Sequence, residues 1–250
     1  PDLPARVIAQ HSRGVLNIMP SILITGANRG LGLTFAKQYA AAGWRVYAAV
    51  RAPADADTLN AVAATTEGRV TVHALDVGDG DSVAALAAGL DGEPLDVLLH
   101  NAGIYLGKGR SFGDTDYDDW LEILRINTLA PLRVVEALID NVAAGERKQI
   151  VLISSKMGSM AANSTSGGAY LYRSSKAALN AVLRSLAVDL AGRGVTVMAL
   201  HPGWVSTDMG GHEAPVTPAA SVHGMRAVIE ALTPADSGSF KDYLGAEVPW

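Results

Sequence analysis

The stretch SILITGANRGLG, residues 21–32, runs from a short apolar segment directly into a glycine-rich turn. Its glycines, Gly26, Gly30 and Gly32, follow the spacing GxxxGxG. Backbone N–H groups at the start of a helix attract a phosphate, and glycines let the main chain approach it closely. The stretch therefore predicts a strand, a phosphate-binding turn for a dinucleotide and a helix. A tight turn that binds no ligand is the alternative.

The same unit repeats along the chain: an apolar run, a glycine-bearing turn and a segment with helical spacing. The pattern predicts strands at residues 21–25, 45–50, 70–75, 96–100, 149–154 and 195–200. It predicts helices near residues 30–42, 79–89, 116–144 and 168–191. Alternating strands and helices indicate a parallel sheet, and near-continuous apolar strands indicate burial on both faces. We therefore expect an α/β fold, a doubly wound parallel sheet flanked by helices, in a single domain.

That domain is expected to span residues 19–250. Residues 1–18 have no clear period and end just before Met19. We interpret them as an N-terminal extension or a cloning remnant, with a native N-terminal arm as the alternative. Residues 203–217 are rich in Gly, Pro, Thr and Ser, which predicts a mobile loop. Ligands of open parallel sheets bind beyond the carboxyl ends of the strands, so the candidate residues are those just after each strand.

The composition excludes several kinds of chemistry. The 250 residues include no cysteine, which rules out disulfide frameworks, thiolate metal sites and cysteine nucleophiles. The net charge of −5 comes from 25 acidic and 20 basic residues, which argues against a nucleic-acid or anionic-membrane partner. No apolar stretch approaches the roughly 18–20 residues of a membrane span, and no signal-peptide pattern is present. We expect a soluble, cytoplasmic protein that acts on a small molecule.

The end of the second predicted strand indicates which dinucleotide is bound. An acidic residue at this position suits the ribose hydroxyl of NAD, whereas an arginine suits the 2′-phosphate of NADP. The strand ends at Arg51, and the first acidic residue after it is Asp55. Arg29 in the turn supplies a second guanidinium for the same phosphate. The pattern favours NADP(H) over NAD(H), with a solvated strand end at Arg51 as the alternative.

Tyr172 and Lys176 are four residues apart in a predicted helix, so their side chains share one face. A nearby ammonium favours tyrosinate and lowers the phenol pKa, which is otherwise near 10. Tyr172 is therefore predicted to act as an acid or base near neutral pH. Tyr170 has Ser174 four residues on and lacks such a partner.

With these motifs in their order, residues 20–210 resemble a single-domain, Rossmann-like short-chain dehydrogenase/reductase. The resemblance is carried by TGANRGLG, Asp76-Val77, Asn101-Ala102-Gly103, Asn127, Ile153-Ser154-Ser155, the YxxxK of Tyr172 and Lys176, and Pro202-Gly203. The final Glu247-Val248-Pro249-Trp250 resembles carbonyl-reductase-like members that end in a short strand followed by Pro-Trp.

The resemblance implies the catalytic roles. Tyr172 would exchange a proton with the carbonyl oxygen, and Lys176 would lower its pKa and bind the nicotinamide ribose. Asn127 would position a water that relays protons to Lys176. A serine would hold the carbonyl oxygen as an oxyanion-type donor. The spacing usual in the family points to Ser159, but we prefer Ser155, because it follows the strand directly and residues 161–168 resemble a loop insertion.

The resemblance also implies the cofactor contacts. Besides the two catalytic residues Tyr172 and Lys176, they are Gly26, Asn28, Arg29, Gly30, Leu31, Gly32, Arg51, Asp76, Val77, Asn101, Ala102, Gly103, Pro202, Gly203, Val205 and Thr207. A helix N-cap is the alternative role for Asp76.

The sequence thus predicts an NADP(H)-dependent oxidoreductase, a carbonyl reductase that moves hydride between nicotinamide and a carbonyl or alcohol. A catalytically idle dinucleotide-binding sensor or signalling protein on the same fold is the alternative. The candidate pocket residues are apolar and suggest a hydrophobic substrate: Ile104, Tyr105, Met157, Met160, Trp204 and Met209. The family resemblance implies a homodimer or homotetramer through residues 116–144 and 168–191.

The histidines carry no metal-binding pattern. His201 and His212 flank the predicted loop without an HExxH spacing or a carboxylate cluster, so no metal site is predicted. His73 and His100 lie within apolar strands and are interpreted as sheet residues with satisfied hydrogen bonds.

Overall fold

The computed structural model describes residues 19–164 and 168–250, and the predictions for residues 1–18 lie outside this part. The strands are Ser21–Thr25 (β1), Arg45–Val50 (β2), Val70–Ala74 (β3), Val97–His100 (β4), Gln149–Ile153 (β5), Thr196–His201 (β6) and Ser239–Asp242 (β7). The α-helices are Gly30–Ala41 (α1), Asp57–Ala64 (α2), Gly80–Gly89 (α3), Tyr117–Leu124 (α4), Ala130–Ala144 (α5), Tyr170–Asp189 (α6) and Pro218–Glu230 (α7).

The strands form one sheet in the order β3-β2-β1-β4-β5-β6-β7, and every neighbouring pair is parallel. The predicted doubly wound, Rossmann-like α/β fold is confirmed. Because the strand order reverses between β1 and β4, the crevice expected for a ligand lies beyond the carboxyl ends of these two strands.

Alternate residues of β1, β2, β4, β5 and β6 belong to two hydrophobic cores, one on either face of the sheet. Leu23 and Leu98 belong to the core that includes residues of α3, α5 and α6. Ile22 and Leu99 belong to the core that includes residues of α1, α2 and α7. Burial on both faces explains why the strands are almost continuously apolar.

Two predictions about the elements need correction, and two helices were missed. The segment at residues 116–144 is not one α-helix, because a π-helical turn, Arg125–Leu129, separates α4 from α5. The last strand is β7, whereas Glu247 forms only an isolated antiparallel bridge to Lys241. Helices α2 and α7 were not predicted, although Thr217, whose side chain caps α7, and Pro218 after it form a recognisable helix start.

Within the two described ranges, no helix combines the length and the apolar character needed to cross a lipid bilayer.

Thr25, the last residue of β1, connects the ends of β1 and β4, the two strands that flank the crevice. Its side chain is fully buried. The hydroxyl accepts hydrogen bonds from the backbone N–H groups of Asn101 (3.1 Å) and Ala102 (3.0 Å), which follow β4. In the opposite direction, the Asn101 side chain donates hydrogen bonds to the carbonyl oxygens of Thr25 (3.0 Å) and Gly26 (3.2 Å). The glycine turn and the segment after β4 are therefore held as one unit.

We predict that Thr25→Val lowers the free energy of unfolding by about 1–3 kcal/mol, because it leaves two backbone N–H groups without their acceptor while keeping the side-chain volume. Thr25→Ser keeps the hydroxyl and should lose less. Urea unfolding followed by circular dichroism measures both. A Val variant as stable as the wild type would contradict this role for the hydroxyl.

Candidate active site

The glycine turn leaves the first N–H groups of α1 available to a ligand. The helix begins at Gly30, and its N-cap, Arg29, provides no side-chain hydrogen bond. Gly26 has φ +68°, and a Cβ on Gly32 would collide with the Gly26 carbonyl oxygen. A backbone packed this closely, with a helix start that no side chain of the described residues caps, fits the phosphates of a dinucleotide.

The loop after β6 lies over the same turn. A Cβ on Gly30 would come within 3.6 Å of the Thr207 side chain. Val205 and Val216 form a parallel bridge across this loop, so residues 203–217 have a defined backbone arrangement. Gly203 has φ +84°, and a Cβ there would lie 3.0 Å from the Tyr243 ring. The structure therefore brings the predicted residues after β1 and β6 together, with Pro202 at the start of the loop.

The two predicted phosphate-binding arginines have different surroundings. Arg51 is exposed directly after β2. Arg29 makes an ion pair with Asp208 at 2.9 Å, and both side chains are largely exposed. Exposed pairs of this kind contribute about 0–1 kcal/mol, so a phosphate can displace Asp208 at little cost.

Asp76 does not cap a helix. It precedes α3 by four residues, and its carboxylate accepts from the backbone N–H of Gly78 at 2.9 Å. The N-cap of α3 is Asp79, which accepts from the N–H of Asp81. The alternative role considered for Asp76 is therefore wrong, and Val77 beside it is buried.

Tyr172 and Lys176 lie one helical turn apart on α6, and both are buried. The Lys176 Nζ donates to the carbonyl oxygen of Ile153 at 2.9 Å and lies 5.9 Å from the centroid of the Tyr172 ring. Ser155 lies close enough to the Tyr172 hydroxyl to lower the pKa of Tyr172. Ser155 follows β5 directly, and its Oγ also accepts from the N–H of Met157 at 3.1 Å. A carbonyl oxygen placed here would meet two hydroxyl donors.

The predicted lowering of the Tyr172 pKa is wrong. Burial raises the pKa of Tyr172 to about 12, against a smaller lowering by Ser155. The Lys176 ammonium donates its hydrogen bond to the Ile153 carbonyl oxygen. Burial also lowers the pKa of Lys176 to about 8. Tyr172 is therefore protonated at neutral pH, which is the form that a proton donor needs.

The other two serines near β5 have structural partners. Ser159 is buried, and its Oγ accepts from the N–H of Ala162 at 3.0 Å. Ser154 donates to the side chain of Asn180 at 2.7 Å. Of the three serines, Ser155 is the one that lowers the pKa of Tyr172.

Asn127 lies in the π-helical turn, next to the site. Its Oδ1 accepts from the N–H of Ile104, and its Nδ2 donates to the Ile104 carbonyl, both at 2.9 Å. Nδ2 also donates to Ser175 Oγ at 3.1 Å. Pro131 has no N–H to offer to the Asn127 carbonyl four residues earlier, which accounts for the break in the α-helical pattern. The side chain of Asn127 thus anchors the segment that follows β4.

An apolar cluster surrounds Tyr172. Two of its buried members are Ile123 and Leu171, and the partly buried residues packed against them are Ile104, Tyr105, Leu106, Trp120 and Met157. The Trp120 Nε1 donates to Ser174 at 2.9 Å, so this ring packs within the cluster. Met160, Trp204 and Met209, which were also predicted to line the pocket, are exposed and do not belong to this cluster.

His100 is not the satisfied residue that was predicted. It is 2% exposed at the end of β4, and neither ring nitrogen has a hydrogen-bond partner among the described residues. Burial, together with a smaller effect of the Lys176 charge, lowers the pKa of His100 to about 3. His73 does have a partner, the Thr71 hydroxyl, at 2.8 Å. The described residues hold no group of three or more His, Asp or Glu side chains arranged for a metal.

Comparison with known proteins agrees with this geometry. The family model for short chain dehydrogenases matches residues 20–216. C-signal from Myxococcus xanthus is 49% identical over 157 residues, 63% of this chain and 93% of that protein. The carbonyl reductase Sniffer of D. melanogaster has a TM-score of 0.87 at 33% identity, over 93% of this chain and 100% of that chain. The NADPH-bound carbonyl reductase from chicken fatty liver has a TM-score of 0.86 at 34% identity, over 93% and 99%.

We predict that His100→Leu changes how stability depends on pH. The unfolded chain protonates His100 near pH 6.5, but the folded protein does so only near pH 3. Stability is therefore lost as the pH falls from 6.5 towards 3, by up to about 1.4 kcal/mol per pH unit from this group. The Leu variant has no group that titrates in this way. The melting temperature of the variant minus that of the wild type should therefore increase as the pH is lowered.

Thermal unfolding at several pH values between 7 and 4.5 measures the effect, with the exposed His223 changed to Leu as the matched control. A difference between His100→Leu and wild type that stays constant over this pH range would contradict the neutral, buried state of His100.

Proposed function

The chain belongs to the short-chain dehydrogenase family, and from that premise we propose that it is an NADP(H)-dependent carbonyl reductase. The observation that carries the proposal is the meeting of Tyr172, Ser155 and Lys176 beside the carboxyl end of β5. The substrate is a carbonyl compound or the corresponding alcohol, and the apolar cluster around Tyr172 favours a hydrophobic one.

Tyr172, Ser155 and Lys176 have different roles in the proposed reaction. A bound nicotinamide supplies or accepts the hydride. Tyr172 donates its proton to the carbonyl oxygen, and the Ser155 hydroxyl donates a hydrogen bond to the same oxygen. Burial keeps Tyr172 protonated until the carbonyl takes up negative charge. Lys176 is protonated at neutral pH, because its pKa is about 8. The tyrosinate left after Tyr172 has donated its proton is the stronger base, so it can take up the proton of Lys176.

The proposed cofactor site lies at the carboxyl ends of β1, β2, β3, β4 and β6. The glycine turn and the start of α1 would hold the pyrophosphate, with Asn28 and Leu31 in that turn beside it. Arg51 and Arg29 would hold the 2′-phosphate. Asp76 and Val77 would bind the adenine, the segment Asn101–Gly103 the ribose, and Val205 and Thr207 the carboxamide. The NADPH in the chicken carbonyl reductase supports this choice of cofactor.

We also propose self-association through the helices beside the site. Leu121 on α4, Leu129 in the π-helical turn and Val188 on α6 are 68%, 55% and 73% exposed. Large apolar side chains exposed on neighbouring elements are typical of an interface between subunits. They support the predicted homodimer or homotetramer.

A second candidate function is signalling by a catalytically idle dinucleotide-binding protein. It is favoured by the name of the Myxococcus xanthus relative, C-signal. The two candidates differ in one measurable property, because an idle protein would bind NADPH without turning over any carbonyl compound.

The proposed activity is tested with a panel of aliphatic and aryl aldehydes and ketones, monitored by NADPH absorbance with NADH as the control. We expect turnover with NADPH to exceed turnover with NADH. Arg51→Ala should raise the KM for NADPH by about 10- to 100-fold, because a charged hydrogen bond to phosphate is lost, and should leave the KM for NADH unchanged. Arg193→Ala, remote from the crevice, is the matched control.

Faster turnover with NADH would overturn the assignment of NADP(H). NADPH binding without turnover across the panel would favour the idle signalling protein instead.

Two serine variants distinguish the proposed oxyanion donor from its alternative. Ser155→Ala should lower kcat by about 10²- to 10³-fold, the usual effect of losing one such donor. Ser159→Ala removes a hydroxyl that contacts the Ala162 amide and should leave kcat near the wild-type value. Steady-state kinetics on a substrate from the panel compares them. An active Ser155→Ala beside an inactive Ser159→Ala would reverse the assignment.

A further inference from the structure

The ring of Tyr105 stacks on the ring of Tyr172. The two centroids are 4.2 Å apart, and the ring planes differ by 17°. Tyr105 is half-buried, whereas Tyr172 is only 8% exposed. One face of the proposed proton donor is therefore covered by another aromatic ring, which no step proposed so far uses.

The backbone that carries Tyr105 is fixed. Ile104, the residue before it, is held at both its N–H and its carbonyl by the Asn127 side chain, at 2.9 Å each. Gly107, two residues after Tyr105, has φ +67°, and a Cβ there would lie 3.0 Å from the Leu171 side chain. The chain is therefore still packed against α6 two residues after it has placed Tyr105 against Tyr172.

The stack restricts rotation of the Tyr172 side chain. The backbone of Tyr172 is set by α6, but its hydroxyl stays beside Ser155 only if the ring keeps its rotamer. A neighbouring ring at stacking distance blocks rotation of the Tyr172 ring away from this position. Misplacing a reacting group by about 1 Å costs on the order of 10²-fold in rate.

From these contacts we infer that Tyr105 is a positioning residue, whose ring holds the Tyr172 hydroxyl at Ser155 in readiness for the substrate carbonyl. This inference rests on the proposed function of Tyr172. The requirement is for the aromatic face of Tyr105 and not for its hydroxyl, so a phenylalanine replaces it.

The kinetic test compares Tyr105→Leu with Tyr105→Phe on a substrate from the carbonyl panel. The Leu variant should lose about 10- to 100-fold in kcat, because the stack is gone. Its Kd for NADPH and its melting temperature should stay close to the wild-type values. The Phe variant keeps the stack and should restore kcat to within about threefold of the wild type. Tyr117→Leu is the matched control, since Tyr117 is 70% exposed and stacks on Trp120.

A spectroscopic test does not depend on activity. With tyrosine labelled with ¹³C in the ring, stacking at 4.2 Å should shift the Tyr172 ring signal upfield, and Tyr172→Phe identifies it among the 7 tyrosines. The shift should persist in Tyr105→Phe and disappear in Tyr105→Leu. If the wild type has no carbonyl reductase activity, the proposed function fails, and this signal still decides whether Tyr105 holds Tyr172. Tyr105→Met, which has no ring, replaces the Leu variant if that variant does not fold.

Three results would overturn the inference. One is a Leu variant that keeps kcat within about threefold of the wild type. Another is a Phe variant as impaired as the Leu variant, which would assign the effect to the hydroxyl. The third is a Tyr172 signal that Tyr105→Leu does not move.

Discussion

The contact between Gly32 and the carbonyl oxygen of Gly26 allows no side chain at residue 32. This close approach lets α1 begin five residues after β1 ends, and it turns the first N–H groups of the helix towards the crevice. Thr25 and Asn101 then join this turn to the segment after β4. The whole proposed cofactor site depends on this packing, because every other strand delivers its residues to the same edge of the sheet.

The catalytic half of the site depends on burial. Tyr172 and Lys176 are removed from water on α6, which raises one pKa and lowers the other. The two pKa values thereby move apart, to about 12 for Tyr172 and about 8 for Lys176, so a tyrosinate at residue 172 is the stronger base and can take a proton from Lys176. The break in the helix at Asn127 links this chemistry to the fold, because Asn127 holds Ile104, and the next residue, Tyr105, stacks on Tyr172.

The sequence predicted the sheet and the family because apolar strands, glycine spacing and the Tyr172/Lys176 pair are local patterns. It did not predict β7, whose residues Ser239–Asp242 are of mixed polarity, or the π-helical turn, for which Pro131 was the one available signal. The direction of the Tyr172 pKa was wrong because burial is a tertiary property that no spacing reports. His100 was misjudged for a related reason: an apolar strand indicates burial but not whether a hydrogen-bond partner is present. The site residues themselves stay predictions, among them the choice of Ser155.

The central claim is that Tyr172 donates the proton in carbonyl reduction. Its most direct test measures NADPH binding by fluorescence and turnover by absorbance on the same Tyr172→Phe protein, with Tyr170→Phe as the matched control from the exposed start of α6. We predict an unchanged Kd for NADPH, a loss of turnover of about 10²- to 10⁴-fold in Tyr172→Phe and nearly normal turnover in Tyr170→Phe. A Tyr172→Phe protein that binds NADPH and reduces carbonyl compounds at close to the wild-type rate would contradict it.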